Sequence, residues 1–340
     1  MGIIYIQDAP TPHASKLIET ETAGKEVIEF YTDYFVNKNV YDVKINKAWK
    51  IYHSKLDIKF IKEILKAQKD TKIILVGWYN INTKILAILL PLIRKDLVIF
   101  IDLPTPYSSY KTKFFRRILF SFFRLTNVKF WALGKITFTY LTDMGIKDEL
   151  IECKVFFEIE HIQKLALNSK KYNHLKKQKI TMVTGGRIDY FKGMDILLSV
   201  ISELPVDVKS KVSLCLFADE VSRLQLQEKI LELDLNNVVT VFGFVGLEEY
   251  LSVISSVDLL IQPSRYDAFG AAAYAYALGK PIIGTNTSGA VIEYVKHKKN
   301  GIVYEANDKT HLNKILIDLV KSPAVLKQLK LHAKKILEKV

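Results

Sequence analysis

The chain has 340 residues, a net charge of +13, 49% hydrophobic and 25% charged residues. This is length for two ordinary domains and a composition that excludes disordered and fibrous proteins. The two cysteines, Cys153 and Cys215, lie far apart in largely apolar stretches. That excludes a disulfide framework and zinc-site spacing, and it suits a reducing compartment.

In chain order, the first run (Ile3–Ile6) reads as a buried strand. The residues around it carry no basic leader, and the run is too short for a signal peptide. His13 follows in a Pro-Thr-Pro-His loop. Further strands are expected at 73–76, 97–101 and 129–133, with helices near 24–36, 59–69, 83–93, 111–125 and 135–144. The most apolar stretch, 85–93, contains Pro91 and is about half the length that spans a bilayer. A cytoplasmic, non-transmembrane protein is expected.

No acidic residue occurs between Asp102 and Asp143. This interval carries Lys111, Lys113, Arg116, Arg117, Arg124, Lys129 and Lys135, interleaved with Phe114, Phe115, Ile118, Phe120 and Phe123. A basic, aromatic amphipathic helix of this kind suits an anionic membrane surface or a lipid-linked acceptor. A core helix with solvated basic side chains is the alternative. Nucleic acid is not expected as a partner, because no binding motif accompanies the patch.

A polar, basic segment over 168–179 reads as a linker. Beyond it a second series begins, with strands at 180–184, 212–217, 238–242, 258–261 and 281–284 and helices near 195–204, 222–233, 247–254 and 271–278. Alternation of short apolar runs with helical patterns predicts parallel sheets covered by helices. The expected organisation is two doubly wound, Rossmann-like α/β domains, 1–165 and 166–320, with a C-terminal helix over 321–340.

Directly after strand 180–184 comes Gly185-Gly186-Arg187, then Lys192-Gly193. In a doubly wound sheet, ligands collect where loops leave the carboxyl ends of strands. Arg187 can grip a phosphate bidentately and Lys192 acts as a point charge, so the pair suits a diphosphate. An ordinary strand–helix turn with surface cations is the competing reading. A second motif, Pro263-Ser264-Arg265-Tyr266-Asp267-Ala268-Phe269-Gly270, leads into a helix of small residues. The helix start favours an anion. Asp267 would repel a phosphate and reads instead as an acceptor for sugar hydroxyls, or as a helix cap.

These segments, with Phe242-Gly243-Phe244-Val245, Gly279-Lys280-Pro281 and Ser288-Gly289-(x3)-Glu293, occur in an order and spacing that resembles the family-4 retaining glycosyltransferases of the GT-B fold. The resemblance is strong over 178–320. It is weaker in the first half, where Leu133-Gly134-Lys135 and Met144-Gly145-Ile146 carry it. It implies two Rossmann-like domains facing a cleft, the first for the acceptor and the second for a nucleotide sugar such as a UDP- or GDP-sugar. Gly186, Arg187 and Lys192 would then hold the diphosphate with the backbone of Phe269, Gly270 and Ala271. Asp267 would touch the donor sugar, and Phe244 and Val245 would lie against the base. Glu293 matches an acidic position, with a structural role at a helix start as its alternative. The resemblance implies no essential metal and no cofactor beyond the donor substrate.

The family's second glutamate is missing. Counting eight on from Asp267 gives Ala275, and counting back from Gly279 with one residue missing gives Tyr274. Tyr274 is the candidate to replace that glutamate at the ribose. On the acceptor side, His13 and Asp102 are the candidate residues, and Lys113, Arg116, Arg117 and Arg124 are expected to face the membrane or acceptor. The expected activity is retaining transfer of a hexosyl group to a polysaccharide or lipid-linked glycan. It would take place at the inner face of the membrane, in lipopolysaccharide or capsule biosynthesis. The rival is a catalytically weak or inactive relative that serves as a binding subunit of a polysaccharide-assembly complex.

Overall fold

The computed structural model describes residues 2–9, 25–34, 49–68, 70–93, 96–155, 159–166, 172, 179–185, 189–243 and 245–338. By packing, the chain divides into two compact units, Met1–Phe157 and Glu158–Val340.

The first unit holds strands β1 (Ile3–Ile6), β2 (Val27–Thr32), β3 (Lys50–Tyr52), β4 (Lys72–Val76), β5 (Leu97–Ile101), β6 (Lys129–Leu133) and β7 (Ile151–Lys154). They form one parallel sheet in the order β3-β2-β1-β4-β5-β6-β7. Its central strands, such as Leu-Val-Ile-Phe-Ile in β5, are apolar throughout, as strands covered on both faces must be. Helices α1 (Ile58–Leu65), α2 (Ile81–Ile93), α3 (Tyr110–Phe123) and α4 (Gly134–Asp143) and a 3₁₀ turn over Asp148–Leu150 accompany the sheet. Leu86 and Leu90 of α2 join Phe120 and Phe123 of α3 in one core with Ile73 and Ile99. Asp57 and Ser109 cap α1 and α3 by accepting backbone N–H bonds.

One expectation fails here. The helix expected over 24–36 is replaced, over Val27–Thr32, by strand β2, which pairs in register with β1 from Ile3↔Val27 onward. Val27, Phe30, Tyr31 and Tyr34 imitate helical spacing, but a β-branched and aromatic run beside an open strand edge is better satisfied by pairing.

The second unit holds β8 (Ile180–Gly185), β9 (Val212–Phe217), β10 (Val239–Phe242), β11 (Leu259–Gln262), β12 (Ile282–Thr285) and β13 (Gly301–Tyr304). These form a second parallel sheet, ordered β10-β9-β8-β11-β12-β13. The helices are α5 (Ile159–Leu165), α6 (Met194–Ser202), α7 (Val206–Lys209), α8 (Glu220–Glu232), α9 (Leu247–Ser256), α10 (Ala272–Ala277), α11 (Gly289–Tyr294), α12 (Lys309–Lys321) and α13 (Pro323–Leu337). Leu197, Leu214, Leu216, Leu259 and Ile261 are buried at the centre of its core with Leu312 and Leu316. Helix α5 falls in this unit, where Gln163 Nε2 donates to the Ala277 carbonyl at 3.1 Å. Packing thus divides the chain ahead of α5, whereas the polar composition of 168–179 points just after it. Both cysteines are free, and burial pushes the Cys215 thiol up to about 12.

In each sheet the chain leaves its first strand in one direction and later returns to the strand's other side. The reversals fall between β1 and β4 and between β8 and β11. At such points the loops diverge and leave a crevice at the carboxyl edge, the usual ligand position of an open α/β sheet.

Candidate functional site

At the β8/β11 reversal, the two sequence motifs are in direct contact. After β8, Asp189 accepts from the Lys192 backbone N–H at 2.9 Å and closes a single 3₁₀ turn over Tyr190–Lys192. Gly193 follows with φ 66°, and a Cβ there would stand 2.1 Å from the Pro263 carbonyl oxygen. Only glycine lets this turn lie so close to the end of β11. The Arg265 N–H then donates to the Phe191 carbonyl at 2.8 Å.

The result is a close pair: Lys192 Nζ stands 2.6 Å from Asp267 Oδ2, with side chains 22% and 11% exposed. Gln262, at the end of β11, braces the pair. Its Nε2 donates to Asp267 Oδ2 at 3.2 Å and to Ser288 Oγ, while its Oε1 accepts from the Ala272 N–H at 2.9 Å. The Asp267 backbone is stitched to the loop before α11, donating to the Thr287 carbonyl and accepting from the Gly289 N–H. Gly270 has φ 80°, and a Cβ there would press on Gln262 Nε2 at 2.2 Å and on Asp267 Oδ2 at 2.6 Å.

Asp267 does not cap α10, whose N-cap is Ala271 without a side-chain bond. The cap reading of Asp267 is thereby excluded. The N–H groups of Phe269, Gly270 and Ala271 donate to no described residue, whereas Ala272 N–H is already taken by Gln262. An ammonium from the loop after β8 and a held carboxylate from the loop after β11, which also carries three consecutive backbone donors, therefore meet at the reversal. Two loops so joined can bind an anion and accept a hydroxyl beside it.

Gln262 and Arg265 escape the sequence reading. Arg265 is 8% exposed. Its fork grips both oxygens of Asp195 at 2.7 Å, Nη1 also donates to the Tyr190 carbonyl, and Nε donates to Asn307. The guanidinium lies 4.2 Å over the Tyr190 ring and holds the Asp195 carboxyl below its ordinary pKa. It is a strut between the two motifs. An arginine in the second motif and an aspartate three residues after Lys192 were the available signal.

Gly186, Arg187, Phe244 and His13 lie outside the described residues. Val245 is half-buried just after β10. Ala275 is fully buried and has no polar group to offer, while Tyr274 is partly exposed on α10 with its hydroxyl pushed up to about 12 by burial. Glu293 is the penultimate residue of α11, so its helix-start reading does not hold.

In the first unit, a polar cluster gathers at the β1/β4 reversal. Asp8, just past β1, accepts from Asn80 Nδ2 at 2.5 Å and from the Tyr52 hydroxyl at 3.2 Å. Desolvation raises its pKa against the pull of those two bonds. Asn80 also caps α2, with Oδ1 accepting from the N–H groups of Asn82 and Thr83. Asp102, just past β5, accepts from the Tyr79 hydroxyl at 3.0 Å, and desolvation raises its pKa as well.

Helix α3 turns Leu119, Phe120 and Phe123 into the core and leaves Phe114 58% and Ile118 53% exposed. Lys113 and Arg117 are exposed beside them. Arg116 and Arg124 are engaged locally: Arg116 donates to Ser108 Oγ and lies by the Tyr140 hydroxyl, and Arg124 donates to Ser121 Oγ and covers Gly145. Among the described residues, no helix is long and apolar enough to cross a membrane.

In sequence, the chain is 28% identical over 170 residues to an uncharacterized glycosyltransferase of Methanocaldococcus jannaschii, covering 48% of this chain and 42% of that protein. It is 26% identical over 157 residues to the 2-deoxystreptamine N-acetyl-D-glucosaminyltransferase of Niallia circulans, covering 46% and 40%. The chain thus spans less than half the length of these relatives. In structure, it superposes on the Anabaena protein HepE, crystallised with UDP, with a TM-score of 0.77 at 16% identity over 100% of this chain and 95% of that one. This likeness establishes the α/β GT-B fold, with its two Rossmann-like units. The family model described as glycosyl transferases group 1 matches residues 167–336, which include Lys192, Gln262, Asp267 and Gly270. The chain belongs to the glycosyl transferases of group 1.

Proposed function

We propose that this protein is a family-4, retaining hexosyltransferase that takes a sugar from a nucleoside-diphosphate sugar. The observation that carries the reading is the Lys192–Asp267 pair at the β8/β11 reversal, braced by Gln262 beside three N–H groups that donate to no described residue. A diphosphate placed there meets the Lys192 ammonium and the N–H groups of Phe269, Gly270 and Ala271. It competes with Asp267 for that ammonium, and a shared proton-rich contact between carboxylate and phosphate suits an ammonium with three donors. Asp267 then accepts hydroxyls of the donor sugar. As the bond from the anomeric carbon to the phosphate oxygen breaks, negative charge grows on the departing diphosphate. Fixed donors in a shielded loop stabilise that charge without reorganising and without an essential metal. Arg187 and Gly186 would extend this grip, and Val245 and Phe244 would flank the base. Glu293 is the remaining donor-side candidate.

The first unit is read as the acceptor side. Asp8 joins Asp102 and His13 as a residue for binding acceptor hydroxyls, because it stands at the sheet reversal with Tyr52 and Asn80. Lys113 and Arg117, with Phe114 and Ile118, would rest against an anionic membrane that carries a glycan or lipid-linked acceptor. Peripheral attachment at the cytoplasmic face, in polysaccharide, lipopolysaccharide or capsule synthesis, follows from that reading. Nucleic acid has no part in it.

A second reading is favoured by one observation: neither Tyr274 nor Ala275 supplies the second carboxylate. On that reading the protein binds a donor without turning it over, as a subunit of a polysaccharide-assembly complex. A panel of UDP- and GDP-sugars separates the two. Release of the nucleoside diphosphate with transfer or hydrolysis of the sugar supports the transferase. Saturable donor binding with no release over many hours supports the binding subunit. UDP is the first nucleotide to try, because HepE was crystallised with it.

A further inference from the structure

The Tyr250 hydroxyl is buried and has no hydrogen-bond partner among the described residues. A buried polar group without a partner is uncommon, and a phenylalanine would pack here without that penalty. Tyr250 is carried by α9. Its ring stands edge-on to Phe217 at 5.0 Å and to Tyr274 at 6.2 Å. The hydroxyl points at the carboxyl end of β8, where a Cβ on Gly185 would stand only 2.4 Å away. The missing side chain at Gly185 is therefore what admits this hydroxyl. Burial raises the Tyr250 pKa, so the group stays protonated and can donate at any physiological pH.

Its position between two other features gives the orphan group a meaning. On one side, Phe217 and Phe242 stack at 5.1 Å, in register with Gly185 across β8, β9 and β10. On the other side lie Asp267 and Lys192, and Asp267 is near enough to add to the rise in the Tyr250 pKa. A nucleoside diphosphate with its base toward the aromatic pair and its phosphates at Lys192 carries its ribose past Tyr250. Tyr274, the residue at the place of the missing carboxylate, packs against the same ring.

We propose that the Tyr250 hydroxyl, with Tyr274 beside it, binds the ribose hydroxyls of the nucleoside diphosphate in place of that carboxylate. The inference rests on the donor reading above. A carboxylate can accept from both ribose hydroxyls at once, whereas a phenol offers one neutral bond. Discrimination for the ribose should accordingly be modest, about threefold to tenfold for each hydroxyl lost.

Calorimetric titration of the full chain tests this with two ligands, UDP and the UDP analogue that lacks both ribose hydroxyls. Tyr250→Phe should weaken UDP about threefold to tenfold and leave the analogue within about twofold of wild type. Tyr274→Phe should show the same selectivity. Equal weakening toward both ligands, or no weakening toward UDP, would overturn the ribose assignment while leaving the donor reading intact. If wild type takes GDP instead of UDP, the same pair of ligands is made with guanine. A wild-type protein that binds neither nucleotide sinks the donor reading, and the assignment with it. Tyr250→Phe keeps the ring and removes an unpartnered hydroxyl, so its thermal midpoint should stay level or rise, which keeps a binding loss separate from unfolding.

Discussion

At the scale of single residues, Gln262 braces the Lys192–Asp267 pair although it has no charge and no motif to announce it. Its amide satisfies Asp267, Ser288 and the Ala272 N–H together. Truncation would strand a buried hydroxyl and a buried N–H and would free the carboxylate to rotate. Gln262→Ala should therefore cost about 2–4 kcal/mol in denaturant unfolding. It should also weaken nucleoside-diphosphate binding, since Asp267 would no longer be oriented. Unchanged stability would mean that the bracing bonds contribute little. That Lys192, Gly193, Asp267 and Gly270 come together was legible in the sequence, because each stands in a short motif that its charge or its glycines mark. Gln262 and Arg265 were not, because their importance lies in what they touch. Arg265 looks like one more surface cation until its fork is seen closed on Asp195.

At the scale of elements, α3 separates into two kinds of basic residue that sequence alone could not distinguish. Arg116 is tied to Ser108 just ahead of the helix and Arg124 to Ser121 one turn back, whereas Lys113 and Arg117 stand exposed beside Phe114 and Ile118. Only the second pair is placed to meet an anionic surface. Each such cation is worth about 1 kcal/mol near a charged bilayer, or roughly fivefold in partition. Sedimentation with phosphatidylserine vesicles should fall more than tenfold for Lys113→Gln combined with Arg117→Gln, about the product of two such steps. Arg116→Gln should change it little. Equal binding by all three proteins would return the helix to an ordinary solvated face. Strand β2 teaches a related lesson: its spacing fitted a helix, and only the neighbouring strand edge decided otherwise.

At the scale of the whole molecule, the two units were legible to different degrees. Alternating strands and helices identified both doubly wound sheets, and the Lys192–Asp267 contact was within reach of the sequence because its parts sit in two short segments after adjacent strands. The polar cluster of the first unit could not be read that way. Asp8 meets Tyr52 across 44 residues and Asn80 across 72, and none of the three is unusual where it stands in the sequence. The sequence offers His13 instead, because a loop histidine carries its chemistry visibly. The donor half of the function is thus supported by local motif, geometry and family together. The acceptor half rests on the sheet reversal and the surface of α3.

The central claim is that Lys192 and its loop hold a diphosphate whose departure drives sugar transfer. Its most direct test is the initial rate of nucleoside-diphosphate release from the best donor, measured for wild type and for Lys192→Ala. A lost charge-assisted bond of about 1.5–3 kcal/mol should lower kcat/KM roughly ten- to hundredfold, with the thermal midpoint little changed. A Lys192→Ala protein that turns over its donor at the wild-type rate would contradict the account.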